Sequence, residues 1–191
     1  MSMLMVFVMM PMGTWTTYAA GGRLSPDEDG YYLIEDYADL KAFAALVNSG
    51  EESANAKLTA DITYTDKVWV PIGNEDYPYT GTFDGDDHII KGISNEESGG
   101  GVDYQGLFGL VGDAGEIKNV GLKGGSITGR NYVGGLVGNC AGTITNCYNS
   151  GEVSGTKYVG GVVGYAYSGE VTNSYNTGKV SGTDNVGGVV G

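Results

Sequence analysis

Two stretches of the chain repeat each other almost residue for residue. Residues 143–161 read TITNCYNSGEVSGTKYVGG, and residues 170–188 read EVTNSYNTGKVSGTDNVGG. Residues 116–135, EIKNVGLKGGSITGRNYVGG, follow the same pattern and differ in length only next to glycine. Self-similarity at a period of about 20 to 50 residues is typical of repeat proteins, so the sequence predicts a stacked array.

A short glycine signature gives the period of this array. It occurs at residues 109–112 (GLVG), 135–138 (GLVG), 161–164 (GVVG) and 188–191 (GVVG). The first glycines of these copies, Gly109, Gly135, Gly161 and Gly188, recur at nearly equal spacing. We therefore predict a structural unit of about 26 residues, which lies within the usual range of repeat proteins.

Aligned in this way, the repeats place residues of similar chemistry in the same row. The apolar rows are Ile117/Ile144/Val171, Ile127/Val153/Val180 and Val133/Val159/Val186, the polar row is Asn119/Asn146/Asn173, and a mixed row is Val120/Cys147/Ser174. Each repeat thus contains three short β-prone runs, separated by Gly, Asn and Ser-Gly.

The length and number of these runs select the fold. They are too short for helices, and a propeller blade needs four strands in about 40 residues. One coil of a parallel β-helix fits, because each strand then pairs with its equivalent one coil later, about 4.8 Å along the axis. One coil cannot bury its inner face alone, so the apolar rows fill a shared core. The sequence predicts an all-β fold, a right-handed parallel β-helix (β-solenoid).

The asparagine row and the paired glycines are predicted at the corners of the coils. Asparagine tolerates the left-handed backbone conformation, and its amide can form hydrogen bonds along the stack. Paired glycines allow tight corners and close backbone packing. Tyr148 and Tyr175 are expected to stack on an outer face.

The region before the repeats predicts a helix and a few strands. In residues 33–50, LIEDYADLKAFAALVNSG, one helical face carries apolar residues. They are Leu40, Phe43, Ala44, Leu46 and Val47. Asp36 or Asp39 would start the helix and Asn48-Ser49-Gly50 would end it, so we predict a helix over about 36–48. Together with the strands that follow, it would form an N-terminal cap over residues 21–105, before repeats over 106–191.

Apolar residues alternate with polar ones in residues 56–73, AKLTADITYTDKVWVPIG. The alternating apolar positions are Leu58, Ala60 and Ile62, followed by Val68, Val70 and Ile72. Two further β runs flank an Asp-Gly turn in residues 81–93, GTFDGDDHIIKGI. These patterns predict the first strands of the solenoid.

Composition and charge exclude several classes of protein. The 191 residues include 35 glycines but are 41% hydrophobic, which suits neither a disordered tail nor a collagen-like chain. The net charge of -13 excludes the basic stripe of a nucleic-acid binder. Residues 1–116 carry a net -15 and residues 117–191 a net +2, so the acid belongs to the first half.

The N-terminus resembles an export signal. Residues 3–12, MLMVFVMMPM, are apolar over the length of a signal-peptide core and too short to span a bilayer. Small residues follow, so cleavage after Ala19 or Ala20 is expected. We predict a signal peptide over residues 1–20 and a protein that is secreted or at the cell surface.

Candidate metal and redox residues are few. Asp84, Asp86 and Asp87 lie close together beside His88, which leaves open a calcium loop or an ordinary Asp-Gly turn. The spacing does not match the EF-hand loop, and His88, the only histidine, is interpreted as a solvent-facing turn residue. Cys140 and Cys147 are expected to be free thiols, with a short-loop disulfide as the alternative. No cofactor, metal site or catalytic residue is assigned.

The acidic residues of the repeats do not favour enzyme activity. A polysaccharide lyase or hydrolase needs convergent carboxylates, whereas Glu116, Glu152 and Glu170 look like a solvated edge, with Glu116 and Glu170 at equivalent loop positions. The chain contains no HExxH motif for a peptidase. Ser/Thr rows, Thr128/Ser154/Ser181 and Thr156/Thr183, suggest ice binding, but Arg130 interrupts the second row.

The combination of motifs resembles a known family. The VGGLVG-type signature follows the elements LTADI, WVPIG, GTFDG and GLFGLVG. Over roughly residues 33–191 this resembles the GLUG-motif repeats of bacterial surface proteins. The resemblance implies a capped β-solenoid without an active site, as in exported adhesins, S-layer-associated proteins and the non-catalytic regions of immunoglobulin A peptidases.

The expected function follows from the array and the export signal. We expect a non-catalytic bacterial surface module that acts in adhesion or as a rigid spacer. Its partner would be a host or cell-surface protein or glycan, and neither nucleic acid nor a membrane span is expected. The chain stops inside a signature at Gly191, which suggests that further repeats or domains follow.

Overall fold

Each turn of the chain places its strands directly beside those of the next turn. The structure, a computed structural model, describes residues 24–66, 68–95 and 101–191. Within these residues every strand pairs in parallel with the equivalent strand of a neighbouring turn. We call each turn a coil and number the coils from the N-terminus.

The first three coils contain the helix and fewer strands than the later ones. They consist of β1 (Tyr31–Ile34) and α1 (Tyr37–Val47), then β2 (Asn55–Leu58) and β3 (Ile62–Thr63), then β4 (Thr82–Asp84), β5 (Ile89–Lys91) and β6 (Phe108–Val111).

The last three coils contain four or five strands each. Coil four has β7 (Glu116–Lys118), β8 (Gly121–Lys123), β9 (Ser126–Thr128), β10 (Asn131–Gly134) and β11 (Val137–Cys140). Coil five has β12 (Thr143–Thr145), β13 (Tyr148–Asn149), β14 (Glu152–Ser154), β15 (Lys157–Gly160) and β16 (Val163–Ala166). Coil six has β17 (Glu170–Thr172), β18 (Tyr175–Asn176), β19 (Val180–Ser181) and β20 (Asp184–Gly187).

These strands form sheets that run along the solenoid axis. One sheet crosses all six coils in the order β1-β2-β4-β7-β12-β17, and a second has the order β18-β13-β8-β5-β3. Three shorter sheets have the orders β19-β14-β9, β10-β15-β20 and β16-β11-β6. Equivalent residues in the last coils lie 26 or 27 positions apart. The predicted all-β parallel β-solenoid with one N-terminal helix is confirmed.

The apolar rows predicted from the repeats form the core. Their members pair in register as Ile117/Ile144/Val171, Ile127/Val153/Val180 and Val133/Val159/Val186. The residues of coils four and five in these rows are buried, whereas Val186 of coil six is 46% exposed. Each coil therefore depends on its neighbour to bury its inner face.

The structure corrects the position of the first glycine signature. Val137 pairs with Phe108 and Cys140 with Val111, so residues 106–109 (GLFG), not 109–112 (GLVG), are equivalent to residues 135–138. Gly109 therefore lies opposite Gly138 and not Gly135, and the predicted equal spacing of the first two copies is wrong. The string GLFGLVG contains two overlapping copies, which only the strand pairing distinguishes.

The signature glycines are required for close packing, and not for a left-handed backbone. A Cβ atom added to Gly135 would lie 2.5 Å from the Gly161 carbonyl oxygen and 2.6 Å from Cγ of Asn149. Neither Gly135 nor Gly161 has a positive φ angle. The prediction that paired glycines allow both tight corners and close packing is confirmed. Gly134-Gly135 lies at the bend between β10 and β11, and the paired Gly124 and Gly125, between β8 and β9, have φ angles of 64° and 82°.

Asparagine occupies the left-handed corners, as predicted. Asn119, Asn146 and Asn173 have φ angles of 56°, 56° and 47°. The side-chain amide of Asn146 donates a hydrogen bond to Oδ1 of Asn119, at 3.2 Å. The corner row is thus linked along the axis.

A second asparagine row lies inside the solenoid, where the sequence suggested no polar ladder. Asn149 is 2% exposed, and its Nδ2 donates to Oδ1 of Asn176 at 3.1 Å and to the Gly151 carbonyl at 3.0 Å. The Gly151 N–H donates to Oδ1 of Asn149 at 2.9 Å. The buried amide is therefore satisfied by its own turn and by the next coil.

The helix covers the first coils with its apolar face. Asp36 is the N-cap, because its side chain accepts hydrogen bonds from the N–H groups of Ala38 and Asp39. Leu40, Phe43, Ala44 and Val47 are buried, and Leu46 is partly buried. The Phe43 ring packs against Tyr79 and Phe83, with centroids 6.1 and 6.0 Å apart. Aromatic packing thus closes the core at this end.

The alternation predicted for residues 68–72 has the opposite phase over its first half. Trp69 is 2% exposed, and its Nε1 donates to the Leu107 carbonyl at 3.1 Å. Val68 and Val70 point outward, with 37% and 62% exposure, while Ile72 is buried. The larger aromatic side chain takes the inner position because it buries more apolar surface than valine.

Two predictions are not tested by the described residues. The signal peptide over residues 1–20 lies outside them, and the boundary between cap and repeats stays a prediction. Among the helices that the structure describes, none is long and apolar enough to cross a membrane.

Both cysteines are free thiols in the core, as favoured from the sequence. Cys140 and Cys147 are 0% and 1% exposed. Burial raises the pKa of the Cys140 thiol to about 11 and that of Cys147 to about 12. Because the thiolate is the reactive form, these groups are protected both by burial and by protonation.

We predict that a thiol reagent does not label native protein at pH 8. Labelling in denaturant should add two equivalents of reagent, measured by mass spectrometry. No labelling in denaturant before reduction would show a disulfide, and rapid labelling of the native protein would show that the core is open.

The glycine packing yields a second prediction with a matched control. Gly135→Ala should lower the free energy of unfolding by about 1 to 3 kcal/mol, because the added methyl group overlaps the next coil. Gly188 occupies the equivalent position in coil six, and an added Cβ meets no atom within 4 Å. Gly188→Ala should therefore leave stability nearly unchanged in urea unfolding. Equal effects of the two changes would exclude this role for the signature.

Candidate functional site

Stacked tyrosine rings follow one edge of the solenoid. The Tyr104 and Tyr132 ring centroids lie 5.0 Å apart with planes 5° from parallel, and Tyr132 and Tyr158 lie 5.1 Å apart at 8°. These side chains come from equivalent positions of successive coils, and all three are half-buried. Their spacing is the axial rise of the solenoid.

Each ring of this row is attached to an unusual backbone. The φ angles of Tyr104, Tyr132 and Tyr158 are 56°, 57° and 54°, in the left-handed region. A non-glycine residue in such a region costs on the order of 1 to 3 kcal/mol, whereas stacking of a ring pair returns about 0.5 to 1.5 kcal/mol. Coil six has Asn185 here, with φ 50°. Asparagine adopts this conformation more readily, so the fold alone does not require tyrosine.

Two more tyrosines extend the row sideways. The Tyr165 ring lies 4.9 Å from that of Tyr158 at 47° and 5.8 Å from that of Tyr132 at 55°. Tyr167 lies 6.4 Å beyond Tyr165 and is 74% exposed. We call the surface formed by Tyr104, Tyr132, Tyr158, Tyr165 and Tyr167 the tyrosine face.

Charges beside the tyrosine face are paired. Arg130 donates two hydrogen bonds to the Asp103 carboxylate, at 2.9 and 2.7 Å, which lowers the pKa of Asp103. Lys157 Nζ lies 3.7 Å from Oδ2 of Asp184 and 4.8 Å from the Tyr158 ring centroid. Burial, followed by the Glu75 carboxylate, raises the pKa of Tyr104. The two ion pairs are neutral overall, and the Glu75 carboxylate adds a negative charge beside Tyr104.

The tyrosine face was not predicted, although the sequence contains a signal for it. Tyr132 and Tyr158 each precede a Val-Gly-Gly segment, and Tyr104 precedes the shifted first signature. The bridge between Gln105 and Val133 places Tyr104 beside Tyr132, because coil three is one residue shorter than coil four between this bridge and Phe108. The other predicted stack is confirmed: Tyr148 and Tyr175 lie 5.2 Å apart at 9°, and Tyr175 is 53% exposed.

The acidic residues of the third coil, Asp84, Asp86 and Asp87, lie at a turn with internal hydrogen bonds and one ion pair. Asp84 Oδ1 accepts hydrogen bonds from the Asp86 N–H and from Nδ2 of Asn119, both at 3.0 Å. Asp86 Oδ2 lies 3.1 Å from Lys57 Nζ, and Asp86 and Asp87 have positive φ angles. In the part of the chain that the structure describes, no group of three His, Cys, Asp or Glu side chains could hold a metal ion.

His88 lies in a small polar cluster at the surface. Its Nδ1 is 3.4 Å from Oδ1 of Asp61, and Lys91 Nζ is 3.0 Å from Oδ2 of the same carboxylate. The Ile89 N–H also donates to Asp61, and these donors lower the pKa of Asp61. His88 is part-exposed beside a turn, and its contacts are those of a surface ion pair.

The glutamates of the repeats lie in strands, not in loops as predicted. Glu116 and Glu170 both pair with Thr143, from the two sides, so they are two coils apart in one row. Glu116 Oε2 lies 3.2 Å from Lys118 Nζ and 3.3 Å from Oγ1 of Thr82. Glu152 is on a different sheet and is exposed. Side chains in one strand row point in the same direction and do not converge across a cleft.

The predicted hydroxyl rows are in register. Ser154 pairs with Thr128 and Ser181, and the hydroxyls of Thr128 and Ser154 are 3.1 Å apart. Thr183 follows Thr156, and Arg130 precedes it in this row. The hydroxyls of Thr128 and Ser154 thus share a hydrogen bond along the axis.

Comparison with protein families identifies two of the repeats. The Glug family, described as the GLUG motif, matches residues 129–154 and 155–181. These segments correspond to one period of the solenoid each, and each includes a tyrosine of the tyrosine face.

Two curated relatives share longer stretches. The chain is 36% identical over 147 residues to halomucin of Haloquadratum walsbyi. The aligned stretch covers 70% of this chain and 2% of halomucin. It is 32% identical over 133 residues to a "Putative Gly-rich membrane protein" of Evansella cellulosilytica, which covers 66% of this chain and 15% of that protein. The chain thus spans a small part of either relative.

A solved structure has the same fold. It is a crystal structure of a "putative immunoglobulin A1 protease" from Bacteroides ovatus, with a TM-score of 0.68 and 25% identity. The match covers 87% of this chain and 62% of the other. With the repeats at residues 129–181 and the parallel coils, these similarities show that the chain is a GLUG-repeat β-solenoid protein.

Proposed function

We propose that the chain is a non-catalytic module of an exported protein, exposed at the cell surface, where it serves as a rigid spacer and as an adhesion surface. The observation that carries this proposal is the uninterrupted register of one sheet through all six coils. Ladder hydrogen bonds and a continuous core join every coil to the next, so the module resists bending as a unit.

Surface exposure is supported by the relatives and by the N-terminal sequence. One relative is named halomucin and the other a membrane protein. The apolar run at residues 3–12 and the small residues after it suit a signal peptide. The proposed partner is a protein or a glycan outside the cell.

The absence of catalysis in this module is also a proposal, supported by the arrangement of its carboxylates. Glycoside hydrolysis uses two carboxyl groups on opposite sides of the scissile bond. Glu116 and Glu170 instead share one side of a sheet, separated by Thr143. The protease name belongs to a structure of which this chain covers 62%.

Export is tested by disturbing the apolar run. Val8→Asp should abolish labelling of intact cells by an antibody against residues 24–191, because a charge in the run disfavours insertion. Val8→Leu is the matched control and should retain labelling. The mature protein should begin at Ala20 or Gly21, read by mass spectrometry of its N-terminal peptide.

Two results would contradict the proposal of an exported module. One is labelling that appears only after lysis in cells producing the wild-type protein. The other is an intracellular protein that retains Met1 and is unaffected by Val8→Asp.

A further inference from the structure

We propose that the tyrosine face binds an extended, uncharged β-linked polysaccharide, with the sugar chain parallel to the solenoid axis. The inference deepens the proposed function, since it names the ligand class that an exposed module would meet. Its support is the spacing and orientation of the five tyrosines and the charges of the residues beside them.

Three tyrosines of the face have a strained backbone. Tyr104, Tyr132 and Tyr158 all occupy the left-handed region, where Asn185 of the last coil is accommodated more easily. Strained residues persist where the surrounding structure or a function holds them. Three strained, half-buried tyrosines in one row therefore indicate a surface with a task beyond closing the coil.

The phenol groups of these tyrosines form a periodic row. Because the stacked rings are nearly parallel, at 5° and 8°, their faces cover one another and only their edges are left to meet a ligand. A phenol hydroxyl is both donor and acceptor, as a sugar hydroxyl is. An extended β-linked polysaccharide advances per sugar by nearly the rise of one coil, so each sugar can meet one phenol.

Tyr165 and Tyr167 leave ring surface that the stack does not cover. Tyr165 is tilted by 47° and 55° against its neighbours, and Tyr167 is 74% exposed. The electron-rich face of an aromatic ring attracts weakly positive C–H groups, which line the flat sides of a β-linked sugar ring. A sugar chain can thus pair hydroxyls with the row and C–H groups with Tyr167.

Charge selects an uncharged ligand. Arg130 is neutralised by Asp103, and Lys157 by Asp184. An acidic polysaccharide would need cations that are not already paired. Tyrosine is also common at protein interfaces, so the regular spacing of the row, and not the residue type, favours a sugar chain over a protein.

The test is calorimetric titration of the purified chain with cello-oligosaccharides of increasing length. We expect binding that strengthens with length, and none to α-linked malto-oligosaccharides of equal length or to polygalacturonate. Tyr167→Ala should weaken binding about tenfold, the loss of about 1.4 kcal/mol for one aromatic contact. Tyr132→Asn should weaken binding by a similar factor, because it removes a phenol hydroxyl and the ring stacked between Tyr104 and Tyr158. Tyr132→Asn supplies the residue that coil six tolerates, so it should remain folded.

Tyr175→Ala is the matched control, because Tyr175 is an exposed, stacked tyrosine of the other row. It should leave the affinity unchanged, and circular dichroism should show all three variants folded. The inference is overturned by folded wild-type protein that binds no cello-oligosaccharide, by binding that Tyr167→Ala and Tyr132→Asn do not change, or by equal loss with Tyr175→Ala. Surface labelling without sugar binding would overturn this inference alone, whereas sugar binding by an intracellular protein would overturn the proposed location alone.

Discussion

The close approach of one coil to the next is the constraint on which the rest of the structure depends. At Gly135 the neighbouring Gly161 carbonyl and the Asn149 amide occupy the space that a Cβ atom would need. Asn149 can be buried there because Gly151 and Asn176 satisfy its amide. The glycine signature and the internal asparagine row are therefore parts of a single contact, repeated along the axis.

From this contact the other features follow. Coils held at strand spacing stack identical side chains, which gives apolar rows inside, asparagine at corners and tyrosine rings on two outer rows. The same repetition makes each coil depend on its neighbours. At coil one, the first coil of the described residues, the helix α1 and the aromatic residues around Phe43 cover the core instead of a further coil. The solenoid thus offers surfaces whose chemistry repeats with each coil.

Periodic residues were predictable from the sequence, and aperiodic ones were not. Rows such as Ile117/Ile144/Val171 and the corner asparagines follow from simple alignment. The overlapping signatures of GLFGLVG hid the register of coil three, and a difference of one residue in coil length hid the link between Tyr104 and Tyr132. The burial of Asn149 was not predicted, because sequence alone does not show that a buried amide finds partners. The steric reason for Gly135 likewise becomes visible only when two coils are placed side by side.

Hydrogen exchange of the backbone amides tests most directly whether axial contacts between coils provide the stability. Strand β14 has a neighbour on both sides, whereas its equivalent β19 pairs with β14 alone. If stability passes along the axis, amides of Glu152–Ser154 should exchange much more slowly than those of Val180–Ser181. Equal protection of the two strands would contradict the account, because each coil would then be stable without its neighbours.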